Sequence, residues 1–144
     1  MEWNDPAVEM RWLAGRRREV EAYLANDGML HGDVADAPSW FVAPYVSLWR
    51  VVEGTPKRPW LWVVAGDIPC DWIGGDEAVG ARAALAVFAT RWLRMAESME
   101  AGQPSEFGVI GAPEDWPVLA TLLRSRATLL SGWVTDSALW PTIG

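Results

Sequence analysis

Trp60-Leu-Trp-Val-Val-Ala-Gly-Asp-Ile-Pro-Cys-Asp-Trp72 is the stretch that decides the fold. Residues 60–65 are bulky, aromatic or β-branched, and the run stops at Gly66. That is the signature of a buried strand over about 60–66, too short for a helix of ordinary length. Asp67 and Asp71 follow, set around Pro69, and read as two acids on the exit turn of that strand. Upstream, Trp40 to Glu53 is a second extended candidate, with its strand placed at about 45–52. Tyr45, Ser47, Trp49 and Val51 would share one face, and Val46, Leu48, Arg50 and Val52 the other. Both faces are largely apolar, which predicts a strand covered on two sides. Pro44 should mark its start or an edge, because proline cannot donate to a ladder. Gly54-Thr-Pro-Lys-Arg-Pro59 is turn chemistry, so residues 45–66 read as a hairpin.

An isolated hairpin is marginal in water and needs a packed layer. Three helical patterns supply it. Asp5-Pro6 is a helix start, with Asp as N-cap and Pro at the first helical position. Met10, Leu13, Val20 and Leu24 follow at helical spacing, widened by Trp12 and Tyr23, and Gly28 suits the C-terminal cap. This places a helix at about 6–27, followed by a loop over 28–39. Ala81, Leu85, Phe88, Trp92, Met95 and Met99 alternate steps of four and three, which predicts a helix over about 77–101. Asp115-Trp-Pro117 starts a third helix, about 116–131, with Leu119, Leu122, Leu123, Arg126 and Leu130 as its stripe. Between the last two, residues 107–110 are a candidate short third strand. The tail is Trp-rich and aperiodic. It is expected to pack back, since Trp133 and Trp140 are costly to leave in water. The order of elements is not a repeated βαβ unit. It predicts an α+β fold in one domain spanning residues 1–144, a small antiparallel sheet packed by three helices.

Composition narrows function by exclusion. With 144 residues and 51% apolar content the chain can bury a core. Net charge is −7 and the sequence pI about 4.6, which opposes a nucleic-acid partner and an anionic membrane surface. The run Arg16-Arg17-Arg18 reads as a solvated helix face. One cysteine allows no internal disulfide, and one His plus one Cys cannot assemble a usual zinc site. The N-terminal residues lack a signal-peptide pattern and no apolar run reaches a membrane span. A cytoplasmic protein without cofactor is the expectation. Eleven tryptophans are far more than usual, so some rings should line a groove or contact surface rather than the core.

The candidate chemistry centres on Asp67 and Asp71, with Trp62 and Trp72 as flanking aromatics. Two carboxylates at a strand mouth could bind a cation or share acid–base work. A structural reading competes: acids at a strand exit cap turn N–H groups and pair with arginine. Arg82, Arg91 and Arg126 on the last two helices are the candidate partners, and Arg126 lies on an apolar stripe where an unpaired charge would be expensive. Cys70 has acidic flanks, which raise a thiol pKa and predict an inert, packed side chain rather than a nucleophile. His31 is a lone loop histidine, and neither Gly74-Gly75 nor Gly108/Gly111 fits a phosphate loop.

Pro38-Ser-Trp40, Ala43-Pro-Tyr45, Leu48-Trp49 and the segment from Trp62 to Trp72 together resemble a bacterial family, the domain of unknown function 4826. Its pattern runs Pro-x-Trp, Ala-Pro-Tyr, a Trp, then Gly-Asp-[Leu/Ile]-Pro-Thr-Asp-Tyr, and an arginine-bearing helix with an aromatic. Arg82, Phe88 and Trp92 would occupy that helix. The likeness covers about residues 38–95. Cys70 stands where the pattern has Thr, and Trp72 where it has Tyr. The resemblance implies relatives but no reaction.

Two function classes follow. The first is a non-catalytic interaction protein of the immunity or antitoxin kind, burying aromatic anchors against a basic partner such as a toxin. The second is a small-molecule binder or hydrolase with Asp67 and Asp71 at a Trp-lined pocket. The absence of a complete active-site pattern favours the first. An exposed aromatic patch could equally serve a homodimer.

Overall fold

The computed structural model describes residues 5–26, 33–52, 60–103 and 112–140. Helix α1 spans Pro6–Asn26, strand β1 Trp40–Val42, β2 Val46–Val52, β3 Trp60–Gly66 and β4 Ile68–Gly74. Helices α2, Ala81–Glu100, and α3, Trp116–Thr135, complete the α+β set of three helices and one antiparallel sheet. The sheet order is β1-β2-β3-β4, with each strand beside its neighbour in sequence. The backbone divides into two compact units, Met1–Ala81 and Arg82–Gly144.

In the first unit, α1 begins where its cap chemistry requires. The Ala7 N–H donates to Asp5 Oδ1 at 2.9 Å, satisfying one orphan donor of the first turn. Val20 and Leu24 are fully buried, and Leu13 and Tyr23 pack against a core of Val34, Trp49, Val51, Leu61, Val63 and Ala65. Met10, expected on this stripe, is 70% exposed, so the buried face begins later along the helix. Arg16 and Arg17 are half-buried and only Arg18 is exposed, so the arginine run is not a solvated face.

The hairpin expected from 45–52 and 60–66 forms, in the register Val46↔Gly66 to Val52↔Trp60. Ser47, Trp49 and Val51 lie on the α1 side, and Val46, Leu48 and Val64 are buried on the other. Ser47 is the one buried polar side chain among the described residues. Its Oγ donates to the Ala65 carbonyl at 2.8 Å and accepts the Trp49 indole N–H at 2.8 Å, so nothing polar is stranded.

Two strands were not expected. The extended candidate beginning at Trp40 divides at Pro44 into β1 and β2, joined by a turn at 43–45 whose Ala43–Pro44 peptide is cis. The segment read as an exit turn with acids is itself β4, reversing after Asp67. Pro69 is tolerated because it falls at the register shift opposite Val64–Gly66, where a regular ladder donor is not needed. Gly66 is required at the reversal: a Cβ there would stand 2.3 Å from the Tyr45 carbonyl oxygen. Residues 107–110, the candidate third strand, and the proposed cap Gly28 lie outside the described residues.

In the second unit, α2 buries Leu85, Phe88, Trp92, Met95 and Met99 as the four-three spacing predicts. It starts at Ala81 rather than 77, because Gly75–Glu77 forms a 3-10 turn. Helix α3 runs past the expected end to Thr135 and buries Trp116, Ala120, Leu123, Ala127 and Leu130, while Leu122 is 41% exposed. Small alanines replace the expected Leu122 on the buried face. The tail folds back as predicted: the Trp140 indole N–H donates to the Trp133 carbonyl at 2.9 Å.

Candidate functional site

The four residues expected to form one site are divided: by register Asp71 and Trp62 share one face of the β3–β4 pair, Trp72 lies on the other face, and Asp67 stands on the reversal. Asp67 is exposed on the reversal between β3 and β4, with its N–H donating to Tyr45 O at 2.8 Å. Asp71 is half-buried in mid-strand, opposite Val64, and its Oδ1 accepts the Trp72 N–H at 2.9 Å. Trp62 pairs with Ile73 and Trp72 with Val63, so Trp62 and Trp72 point to opposite faces of the sheet. Trp72 packs with the α1-side core, while the Trp62 indole N–H donates to Ala78 O at 3.2 Å. A strand in place of the expected turn is what separates Trp72 from Asp71, since successive residues of a strand point to opposite faces.

Of the three arginines, Arg82 is held by the C-terminal part of its own unit. Its Nε donates to Val134 O at 2.7 Å and its guanidinium lies 5.9 Å from the Trp140 ring centroid. Arg82 therefore anchors the tail and is not a carboxylate partner among the described residues. Arg91 and Arg126 are half-buried on α2 and α3. Cys70 is half-buried against the α1-side core, and its thiol contacts Glu19 Oε1 at 3.6 Å. Burial, then the Glu19 carboxylate, pushes the thiol up to about 12, far from a thiolate at neutral pH. His31 lies outside the described residues. Among the described residues no group of three His, Cys, Asp or Glu side chains could hold a metal ion, and no helix is long and apolar enough to cross a membrane.

The structure assembles a different constellation in the first unit. Beyond β1, residues 33–36 continue along the free side of β2: Ala35 N–H donates to Arg50 O at 2.9 Å and Val52 N–H to Asp33 O at 3.0 Å. Arg17 fastens this segment to α1. Its Nη2 donates to Val34 O at 2.7 Å, its Nε to Ala35 O at 3.1 Å and its Nη1 to Glu21 Oε1 at 3.1 Å. Arg17 is thus spent on structure, satisfying carbonyls that would otherwise be half-buried acceptors without donors.

Arg50 is used differently. Its guanidinium carbon sits 4.0 Å from the Trp60 ring centroid and 5.7 Å from that of Trp62. The register explains this: Arg50 pairs with Trp62 and is diagonal to Trp60 on the same face. The two rings meet edge to face at 4.7 Å. Trp60 is backed by Gly75, where a Cβ would stand 2.3 Å from the ring. The stack holds an exposed, planar cation in a fixed place, at about 0.5–1 kcal/mol for such an exposed contact. Among the described residues Arg50 makes these ring contacts and no side-chain hydrogen bond or ion pair.

Arg17, Asp33, Asp36, Arg50, Val52 and Trp60 are among the residues lining one open groove of about 790 Å³. None of Asp67, Asp71, Trp62 and Trp72 lines it. The groove was missed in the sequence because it depends on an irregular edge segment. One signal was present: a lone arginine in an apolar strand, two residues in register from a tryptophan across the hairpin.

No curated protein and no solved structure shows significant similarity to this chain. A family model, Domain of unknown function (DUF4826), matches residues 6–140. That span contains every strand and helix described above, and it includes the motifs at 38–72 on which the resemblance rested. The chain belongs to the family Domain of unknown function (DUF4826).

Proposed function

We propose that this is a non-catalytic binding protein that acts by engaging a protein partner directly, in the manner of an immunity or antitoxin protein. The observation that carries the reading is the Arg50–Trp60 stack at the groove. Arginine and tryptophan are the residue types that dominate binding energy at protein interfaces, and an anchor already held in place loses less freedom on binding. The groove is open, as a protein segment requires, and both charge signs line it. The net charge of −7 favours a partner with a basic surface, which long-range attraction would bring in quickly. The inert state of Cys70 agrees with a role that needs no thiolate nucleophile.

The test is recovery of the tagged chain from its native host under mild conditions. A stoichiometric protein partner should co-purify with wild type and with Asp67→Asn, and be lost with Trp60→Ala. Retention by Trp60→Ala together with loss in Asp67→Asn would transfer the function to the acids of the β3–β4 reversal and refute the reading.

A further inference from the structure

The chemistry of the groove indicates what it takes in. Its cations are not equivalent. Arg17 has donors committed to Val34 O, Ala35 O and Glu21. Arg50 lies against the Trp60 and Trp62 rings and hydrogen-bonds no described residue, so its guanidinium N–H groups are the donors the groove offers. A planar fork of N–H groups matches a carboxylate with two parallel bonds, a geometry lysine cannot reproduce. The contact with Trp60 is made through the ring and uses no hydrogen-bond acceptor, so it commits none of the guanidinium N–H groups to a polar partner.

The groove is also lined by Asp33 and Asp36, both exposed, on the segment that runs beside β2. They oppose a second anion and welcome a cation. A ligand that satisfies both Arg50 and these carboxylates carries both signs a short distance apart. Val52 and Trp60 supply apolar surface in the same groove.

We propose that the groove receives a segment of the protein partner in which an acidic residue stands near a basic one, the acidic carboxylate seating on Arg50 and the basic group facing Asp33 and Asp36. This rests on the binding function above and names its chemistry. It also reconciles an acidic protein with an arginine anchor. Net charge steers a basic partner, and the local carboxylate fixes its register.

The probe is a blocked peptide, Ac-Ala-Lys-Ala-Glu-Ala-NH2, titrated into the full chain and followed by NMR. The Trp60 indole N–H and the Arg50 Nε–H resonances should shift saturably. The same peptide with Gln for Glu should bind about tenfold or more weakly, and so should wild-type peptide to Arg50→Lys, which keeps charge but loses the fork. Asp67→Asn should bind as wild type does. Arg50→Lys is on an exposed position and guards against a trivial folding defect. Equal binding of the Gln peptide, equal shifts from free acetate, or shifts confined to residues outside the groove would each overturn the proposal. So would concentration-dependent shifts of the same resonances without peptide, which would make a second copy the occupant. If the peptide fails while Trp60→Ala still loses the native partner, the carboxylate assignment falls and the binding function stands.

Discussion

Ser47 shows how a single side chain can specify the core. It sits fully buried between Ala65 O and the Trp49 indole. Ser47→Ala removes one hydroxyl but strands the indole donor, so it should lower unfolding free energy by about 1–3 kcal/mol in a denaturation experiment. Cys70 makes a second prediction at this scale. Its thiol ionises at about 12 in the folded chain, raised from 9.0, chiefly by burial and then by Glu19. The folded state therefore holds the proton more tightly than the unfolded one. That contribution to stability is complete below pH 9.0 and is lost as pH rises through 12. Measured against Cys70→Ala, wild type should lose stability across that window, and alkylation of native Cys70 should be far slower than that of an unfolded control at neutral pH. Both residues were legible in part. Acidic neighbours pointed to an inert thiol, but Glu19 comes from a distant helix and no local pattern announces it.

At the scale of elements, the hairpin and all three helices could be read because their patterns repeat. The 45–52 and 60–66 strands kept their register faces, and the α2 spacing matched its buried residues. β4 escaped because Pro69 and Asp71 disfavour a strand in isolation. Tertiary pairing with β3, and a bulge that absorbs the proline, override that preference. The same strand changes the geometry expected for these residues: a turn would gather Asp67, Asp71, Trp62 and Trp72, whereas β4 puts Trp72 on the opposite face from Asp71 and Trp62. Two glycines hold this region. Gly66→Ala meets the Tyr45 carbonyl and should destabilise by more than about 2 kcal/mol, read as a lowered Tm. Gly75→Ala meets the Trp60 ring instead, so its main effect should be a displaced indole, visible as a change in tryptophan fluorescence and weaker partner binding.

On the scale of the whole molecule, the sequence pointed to a family and not to an activity. Charge and cysteine content narrowed only what is expected of partners, whereas the motif order pointed to the family that the match over 6–140 shows. The groove was not legible, since it needs residues 33–36 to run beside β2 and Arg17 to hold them there. Its role as a partner site is the central claim. The most direct measurement is the affinity of the purified native partner for wild type, Arg50→Gln and Asp67→Asn. Arg50→Gln should weaken binding by about tenfold or more with folding unchanged, while Asp67→Asn should stay within about twofold of wild type. Unchanged affinity in Arg50→Gln alongside a large loss in Asp67→Asn would contradict the account.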